Sequence, residues 1–117
     1  MSYAYNVGMA ELLGGFEQAV LVAVLRLGPD AYGRTILHDL QKSLNRAVSA
    51  GATYTTLDRL ERRGLLRSKL ADGTLVRGGR LRRYYALTAP GIRALNEAHE
   101  TLSEMWGSIQ WPAKIAR

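Results

Sequence analysis

The sequence contains no cysteine among its 117 residues. Disulfide bonds and thiolate metal sites are therefore excluded, and we expect a protein of the reducing cytoplasm. Long hydrophobic runs are absent as well, because the apolar stretch at 19–25 is flanked by Glu17 and Arg26. A membrane-spanning helix needs roughly 20 apolar residues. We therefore expect no membrane association and no signal peptide.

Acidic residues are scarce relative to basic ones, with 10 Asp and Glu against 16 Lys and Arg and a formal net charge of +6. Residues 58–85 hold nine basic and three acidic side chains, which accounts for the whole excess. Such a concentration of positive charge suits a polyanion such as nucleic acid. A solvated basic surface without a partner is the alternative.

The hydrophobic pattern predicts a single globular domain of four helices and two strands. The helices are expected at 10–27, 31–44, 50–63 and 89–109, and the strands at 65–70 and 81–87. Asp30, Ser49 and Thr88 are expected to cap the second, third and fourth helices, and Gly64 to end the third. Val48 is expected to form a short strand.

The order of these elements predicts the fold class and the domain organisation. A series of helix, helix, helix, hairpin and helix is mainly α with a small β-hairpin, and is that of a winged helix-turn-helix with added terminal helices. We expect an arm at 1–9, a DNA-binding domain at 10–87, a carboxyl-terminal dimerisation helix at 88–110 and a tail at 111–117.

The third helix and the hairpin carry the side chains that suit DNA. A helix fits the major groove, where its outward side chains meet base edges, and a basic hairpin reaches phosphates beside it. Thr53 is expected to pack within the protein, and Arg59 and Arg62 have Asp58 and Glu61 as alternative partners. The residues expected to contact DNA are Ser49, Tyr54, Thr55, Arg59, Lys69, Arg77, Gly78, Gly79, Arg80, Arg82 and Arg83.

The last helix carries apolar residues at alternating spacings of three and four, which is typical of a helix-packing seam. This seam is too short for an independent coiled coil, so it requires a partner surface. Trp106 is expected in a dimer core or as one wall of an effector cavity. His99 is expected as a hydrogen-bonded core histidine or as a pH sensor. The seam comprises Ile92, Leu95, His99, Leu102, Trp106 and Ile109.

Three stretches of the chain resemble the PadR family of bacterial transcription regulators. They are Ala31-Tyr32-Gly33 at the second helix, 49–65 (SAGATYTTLDRLERRGL) across the third helix, and 77–88 (RGGRLRRYYALT) at the wing and its return strand. Together with the helix around Phe16-Glu17, the resemblance covers roughly 13–106. The sequence departs from the family's usual pattern at Ala89-Pro90, where many members have the proline first.

The resemblance implies a cytoplasmic homodimer that binds double-stranded DNA, usually as a repressor at an inverted-repeat operator. It implies that Tyr32 and Tyr54 lie near the DNA backbone and that 77–83 forms the wing. It also implies that the first and last helices form the dimer, and that some members bind a small apolar effector between the subunits. The single last helix is that of the shorter members, without a separate effector domain. The residues expected in the dimer or effector surface are Phe16, Val20, Leu95, His99, Leu102 and Trp106.

Other functional classes fit the residues less well. We expect no enzyme, cofactor or metal site, because the two histidines lie on different predicted helices and Gly78-Gly79 lacks the strand-to-helix context of a nucleotide-binding motif. RNA binding lacks the usual stacking motifs for single strands. A winged-helix protein-interaction module without specific DNA binding is the remaining alternative, and it would favour a neutral third helix and wing.

Overall fold

The computed structural model describes residues 13–72 and 81–107. Within these residues the chain forms four α-helices and a two-stranded antiparallel hairpin, which confirms the predicted fold class. The predicted arm at 1–9 and tail at 111–117 lie outside the described residues. The elements in chain order are α1 (Gly15–Leu27), a short 3-10 helix (Gly28–Asp30), α2 (Gly33–Leu44), α3 (Ala50–Arg62), β1 (Leu66–Asp72), β2 (Leu81–Leu87) and α4 (Ala89–Gly107).

Helix α1 is the centre of the core. It packs against α2, α3, β2 and α4, and its residues Val20, Leu21, Ala23 and Val24 are buried within the subunit. Val20 is fully buried, so our expectation that it lies on the dimer or effector surface is wrong. Periodicity shows that α1 has two covered sides, but it does not show whether the cover comes from the same chain. The same hydrophobic core contains the buried residues Ile36, Leu40, Leu57 and Leu60.

Two of the three predicted caps are present. The N–H of Ala52 donates to Ser49 Oγ at 3.0 Å, and the N–H of Gly91 donates to Thr88 Oγ1 at 3.0 Å. Gly64 follows α3 with a φ of +79°, the left-handed conformation that glycine adopts without strain after a helix. These local signals were therefore sufficient to place the ends of α3 and the start of α4.

The predicted cap at Asp30 is wrong. Tyr32 is extended, with φ −136° and ψ 172°, because it pairs with Tyr84 as an isolated β-bridge. The chain therefore enters α2 only at Gly33, and the hydroxyl of Thr35 accepts the N–H of Tyr32 at 3.0 Å. The carbonyl of Asp30 instead accepts the Thr35 hydroxyl at 2.6 Å.

The start of α1 and the segment around Val48 also differ from the sequence prediction. Leu13 and Gly14 precede α1 instead of lying inside it, because the Gly14 N–H donates to Glu17 Oε1 at 3.0 Å and closes the start of the helix. Val48 is not in a strand. Its carbonyl accepts the side-chain amide of Gln41 at 3.1 Å, which ties the turn to α2.

The hairpin is joined to the helical core through its base. Leu66 pairs with Leu87 and Ser68 with Tyr85, and the side chains of Leu66 and Tyr85 are buried. The N–H of Tyr85 donates to the carbonyl of Ala31 at 2.9 Å, so β2 is held beside the start of α2. Among the described residues, we find no helix with the length and hydropathy needed to cross a membrane.

Candidate nucleic-acid interface

Helix α3 turns one face to the core and the opposite face to solvent. Thr53, Leu57 and Leu60 are fully buried, and the Thr53 hydroxyl donates to the carbonyl of Ser49 at 3.0 Å, which confirms Thr53 as a packing residue. The opposite face, which we call the outer row of α3, is exposed throughout and has the arrangement that a recognition helix places against a major groove. The outer row consists of Gly51, Thr55, Asp58 and Arg62.

Tyr54 lies at the edge of the outer row and packs over the start of α2. Its side chain is about half exposed, and a Cβ atom at Gly33 would overlap the Tyr54 hydroxyl and ring. Glycine at Gly33 therefore leaves room for the Tyr54 ring in this position, and the reason is space and not backbone conformation. The sequence analysis noted Tyr32-Gly33 only as part of a resemblance, because a contact between two helices has no local signature.

Arg59 is held by a carboxylate on α1. Its Nη1 lies 3.5 Å from Glu17 Oε2, and Arg63 Nη1 lies 3.4 Å from each Glu17 oxygen. Glu17 also accepts the N–H of Gly14, so one carboxylate closes the start of α1 and joins it to α3. The sequence analysis missed Glu17 as a partner because it lies 46 positions from Arg63.

Arg62 makes the local ion pair that its spacing allowed. Its Nη2 lies 2.6 Å from Asp58 Oδ2, one helical turn away, and both side chains are largely exposed. Exposed pairs of this kind are weak in water. Both residues belong to the outer row, so the pair can open when another anion or a base edge approaches Arg62 or Asp58.

Arg83 is fixed next to α3 by a chain of hydrogen bonds. Its Nη1 donates to Ser68 Oγ at 3.0 Å, and the Ser68 hydroxyl donates to Glu61 Oε2 at 2.7 Å. Tyr85 is buried beside this chain, and burial, together with the nearby Glu61 carboxylate, raises the pKa of its hydroxyl. The chain of hydrogen bonds therefore places a cation of the hairpin beside α3.

Arg82 is held by two tyrosines near the start of α2. Its Cζ lies 4.3 Å from the centre of the Tyr32 ring, and the Tyr32 and Tyr84 rings meet edge-on at 5.4 Å. A hydrogen bond with Tyr84 raises the pKa of the Arg82 guanidinium further. Cation–π contacts orient a guanidinium without neutralising its charge, so Arg82 keeps its charge for an external anion.

The remaining candidates for DNA contact fall into three groups. Thr55 and Lys69 are exposed. Ser49 uses its Oγ to cap α3, so its side-chain acceptor is already engaged in the fold. Arg77, Gly78, Gly79 and Arg80 lie outside the described residues.

The candidates for the dimer surface differ in exposure along α4. Phe16 and Leu95 are half-buried and pack against the core. His99 is exposed, and Leu102 and Trp106 are 38% and 57% exposed. The surface of α4 thus becomes more apolar and more exposed toward its carboxyl end. Within 13–72 and 81–107, no group of three or more metal-ligating side chains comes together.

Comparison with known proteins assigns the chain to a family. Residues 21–97 match the transcriptional regulator PadR-like family. No curated protein matches the chain significantly. The matched segment contains all of α2, α3 and the hairpin, and it covers most of the stretch on which the resemblance rested.

Several solved structures of PadR-like regulators have the same fold as this chain. A PadR-like transcription factor from Bacteroides fragilis has a TM-score of 0.64 and 28% identity, over 80% of this chain and 84% of the other. A PadR-like transcriptional regulator from Bacillus cereus has a TM-score of 0.65 and 24% identity, over 80% and 85%. A PadR family transcriptional regulator from Eggerthella lenta has a TM-score of 0.61 and 24% identity, over 91% and 92%.

These matches confirm the resemblance, the winged-helix fold and the expectation that the chain is not an enzyme, since the family consists of transcriptional regulators. The chain belongs to the PadR-like family of DNA-binding transcriptional regulators.

Proposed function

We propose that the protein is a cytoplasmic, homodimeric repressor that binds an inverted-repeat operator in duplex DNA and is released by a small apolar effector. The observation that supports this proposal most directly is the position of Arg83. The chain of hydrogen bonds through Ser68 and Glu61 holds it beside α3. A cation fixed next to an exposed recognition helix can bind a phosphate while the helix occupies the major groove.

The outer row of α3 supplies the base-reading part of this proposal. Thr55 and Tyr54 lie in the amino-terminal half of α3, which is the part of a recognition helix that approaches base edges. Arg59 is held toward α1 by Glu17, so its contact with DNA requires that ion pair to open. Base reading is therefore assigned first to Thr55 and Tyr54, and Arg59 is assigned to the backbone.

Two tyrosines and the hairpin cations supply the backbone contacts. Tyr32, which holds Arg82, immediately precedes α2, and Tyr54 of α3 covers Gly33 at the start of α2, where the helix dipole also favours anions. Lys69, Arg82 and Arg83 add positive charge along the hairpin. In this proposal residues 77–80, which come between β1 and β2 in the sequence, add further contacts to the DNA backbone.

The dimer is assigned to α4 and to Phe16 on α1. Leu102 and Trp106 expose apolar surface to solvent, and covering such surface is the main driving force for association. Two α3 helices related by a two-fold axis would then enter successive major grooves, roughly 34 Å apart. The apolar effector is assigned to the subunit boundary, with Trp106 and His99 at its wall.

The experiment that tests this proposal is a titration of the full chain against labelled genomic DNA fragments at about 50 and about 200 mM salt. We expect an inverted repeat to be enriched and the affinity to fall steeply with salt. Binding without enrichment would contradict sequence-specific recognition. An absence of binding at both salt concentrations would instead support the protein-interaction module.

A matched pair of variants checks the hairpin assignment in the same assay. The double variant Arg82→Ala/Arg83→Ala removes two phosphate contacts, so the slope of log K against log salt should become shallower by about two. Arg93→Ala removes an exposed cation of α4 that is not among the proposed DNA contacts, and it should leave the slope unchanged. Equal slopes for all three proteins would overturn the hairpin assignment.

A further inference from the structure

The outward side of α2 carries a row of exposed basic side chains. Arg34, His38 and Lys42 are exposed and follow one another at intervals of four residues, which places them on one side of the helix. Ile36 and Leu40, on the opposite side, are buried in the core. The three side chains, which we call the basic row of α2, extend over roughly 12 Å at about 1.5 Å per residue.

The basic row has no counterion within the described part of the subunit. None of its three members forms an ion pair with a described residue. The row borders a groove of about 490 Å³ that also includes Asp39, but the Asp39 carboxylate lies 2.8 Å from Nη2 of Arg26 and is already paired. The basic row therefore keeps its positive charge for a partner outside the subunit.

Helix α4 carries a row of the opposite sign. Glu97, Glu100 and Glu104 are exposed, and their spacings of three and four place them on one side of the helix. None of them forms an ion pair with a residue of 13–72 or 81–107. Arg93 lies on the same side about one turn earlier, so this side is purely acidic from Glu97 onward. The three carboxylates, which we call the acidic row of α4, extend over roughly 10 Å, close to the length of the basic row.

The acidic row remains accessible in the proposed dimer. A rotation of about 100° per residue places the row on the side of α4 opposite Leu102 and Trp106. Leu95, which packs against the core of the same subunit, also lies away from the row. Neither the core nor the dimer contact assigned to the apolar seam therefore covers the three carboxylates.

We propose that the basic row of α2 docks on the acidic row of α4 in a second copy of this chain, and that this contact joins neighbouring dimers on DNA. The two surfaces differ, so each docked molecule leaves one row of each sign free and the contact can propagate. Exposed ion pairs are individually weak. The contact therefore acts where DNA already holds two dimers side by side and raises their effective concentration, and this part rests on the proposed function.

Zero-length cross-linking tests the contact without DNA. A water-soluble carbodiimide couples a lysine amine to a carboxylate that touches it, and mass spectrometry identifies the two residues. In a mixture of unlabelled and isotope-labelled full chains at about 10 mM salt, where screening is weak, we expect Lys42 linked to the acidic row of another chain. The covalent products should extend beyond two chains. An absence of these links, or a series that stops at two chains, would overturn the proposal.

A matched pair of variants tests whether charge drives the contact. Arg34→Glu keeps Lys42 and the three glutamates but reverses a neighbouring charge, so the yield of the link should fall several-fold. Arg67→Glu changes the net charge by the same amount on the hairpin and should leave the yield unchanged. Arg34 and Arg67 are both exposed, so both variants should unfold at nearly the wild-type temperature. Equal yields for Arg34→Glu and the wild type would overturn the proposal.

A charge swap tests the contact on DNA. On a duplex with two tandem copies of the operator enriched in the titration, the wild type should fill the second copy several-fold more readily than the first at low salt. Lys42→Glu and Glu100→Lys should each remove this preference, and the combined variant should restore it. If the basic row contacts DNA directly, Lys42→Glu will weaken binding to a single copy and Glu100→Lys will not rescue it, which would overturn the proposal.

The two sets of measurements separate this inference from the proposed function. If the chain binds no DNA, the proposed function fails, while links between Lys42 and the acidic row still support the contact between copies. If the chain binds its operator and neither charge reversal changes the filling of the second copy, the proposed function stands and the contact between dimers is overturned.

Discussion

The guanidinium group of Arg82 packs on the Tyr32 ring, with its carbon atom 4.3 Å from the centre of the ring. The contact joins the hairpin to the residue that immediately precedes α2. Tyr84 holds the same tyrosine edge-on at 5.4 Å. The arrangement fixes the direction of a cation that would otherwise sample many rotamers, and ordering a side chain before binding lowers the entropic cost of the contact.

Replacing Tyr32 should weaken DNA binding by freeing Arg82. A cation–π contact at an exposed site contributes about 0.5–1 kcal/mol, so Tyr32→Leu should raise the Kd about two- to fivefold, as measured by fluorescence anisotropy. Tyr32→Phe keeps the ring and serves as the matched control. An equal loss in both variants would show that the hydroxyl, and not the ring, makes the contribution.

Gly33→Ala should impair DNA binding more than stability. The new methyl group would displace the Tyr54 ring, which is exposed enough to swing outward, so the free energy of unfolding should fall by less than about 1 kcal/mol. Tyr54 would then leave its place beside the outer row, and the Kd for the operator should rise several-fold.

Gly15→Ala is the control for this variant, since a Cβ at Gly15 meets nothing within 4 Å. Urea unfolding and anisotropy on the same two proteins give the comparison. A Gly33→Ala variant with normal affinity for the operator would remove Tyr54 from the proposed interface.

Gly91→Ala should destabilise the fold itself. A Cβ atom at Gly91 would overlap the carbonyl oxygen of Leu65, and that oxygen already accepts the N–H of Thr88 at 3.1 Å. Backbone cannot move aside as a flexible side chain can, so we expect a loss of about 1–3 kcal/mol in the free energy of unfolding. Gly107→Ala, on the same helix with open space around it, should unfold like the wild type in thermal denaturation.

Glu17→Ala should cost more stability than Asp58→Ala. Glu17 is 15% exposed and joins Gly14, Arg59 and Arg63, whereas Asp58 is 62% exposed and pairs with Arg62. Exposed pairs contribute about 0–1 kcal/mol, and a mostly buried one leaves two cations without their carboxylate. Equal urea midpoints for the two variants would contradict this ranking.

Leu102→Lys should weaken the proposed dimer. Leu102 is an exposed apolar residue of α4, and a lysine there would bury a charge in the interface. Sedimentation velocity should show a shift toward monomer in the micromolar range. Glu97→Lys introduces the same side chain on the opposite side of α4 and should leave the dimer intact. A dimer that is unaffected by Leu102→Lys would place the interface elsewhere.

The parts of the fold that the sequence predicted depend on local interactions. Ser49, Gly64 and Thr88 were placed correctly because caps and terminators act within a few residues. The covered face of α3 followed from the spacing of Thr53 and Leu57. The predicted cap at Asp30 was wrong because Tyr84, a distant strand residue, holds Tyr32 in an extended conformation. Helix α2 therefore starts later in the chain than the sequence predicted.

The parts of the site that sequence reasoning missed depend on contacts between distant segments. Glu17 meets Arg63, and Tyr54 meets Gly33, only after α1, α2 and α3 have packed together. Val20 illustrates the same limit in the opposite direction. Its spacing marked an apolar surface correctly, but periodicity carries no information on whether that surface is covered by the same chain or by a partner.

The sequence by itself determined the order of the elements, the faces of α3 and the concentration of positive charge in 58–85, because each is a property of composition and local spacing. Tertiary packing decided which arginine side chains are held in place and which residues hold them. Arg59 is drawn to α1 by Glu17, Arg82 to Tyr32 and Arg83 to Ser68. Attraction between charges and rings acts over a few ångströms in space, and only the folded chain brings these groups within that range.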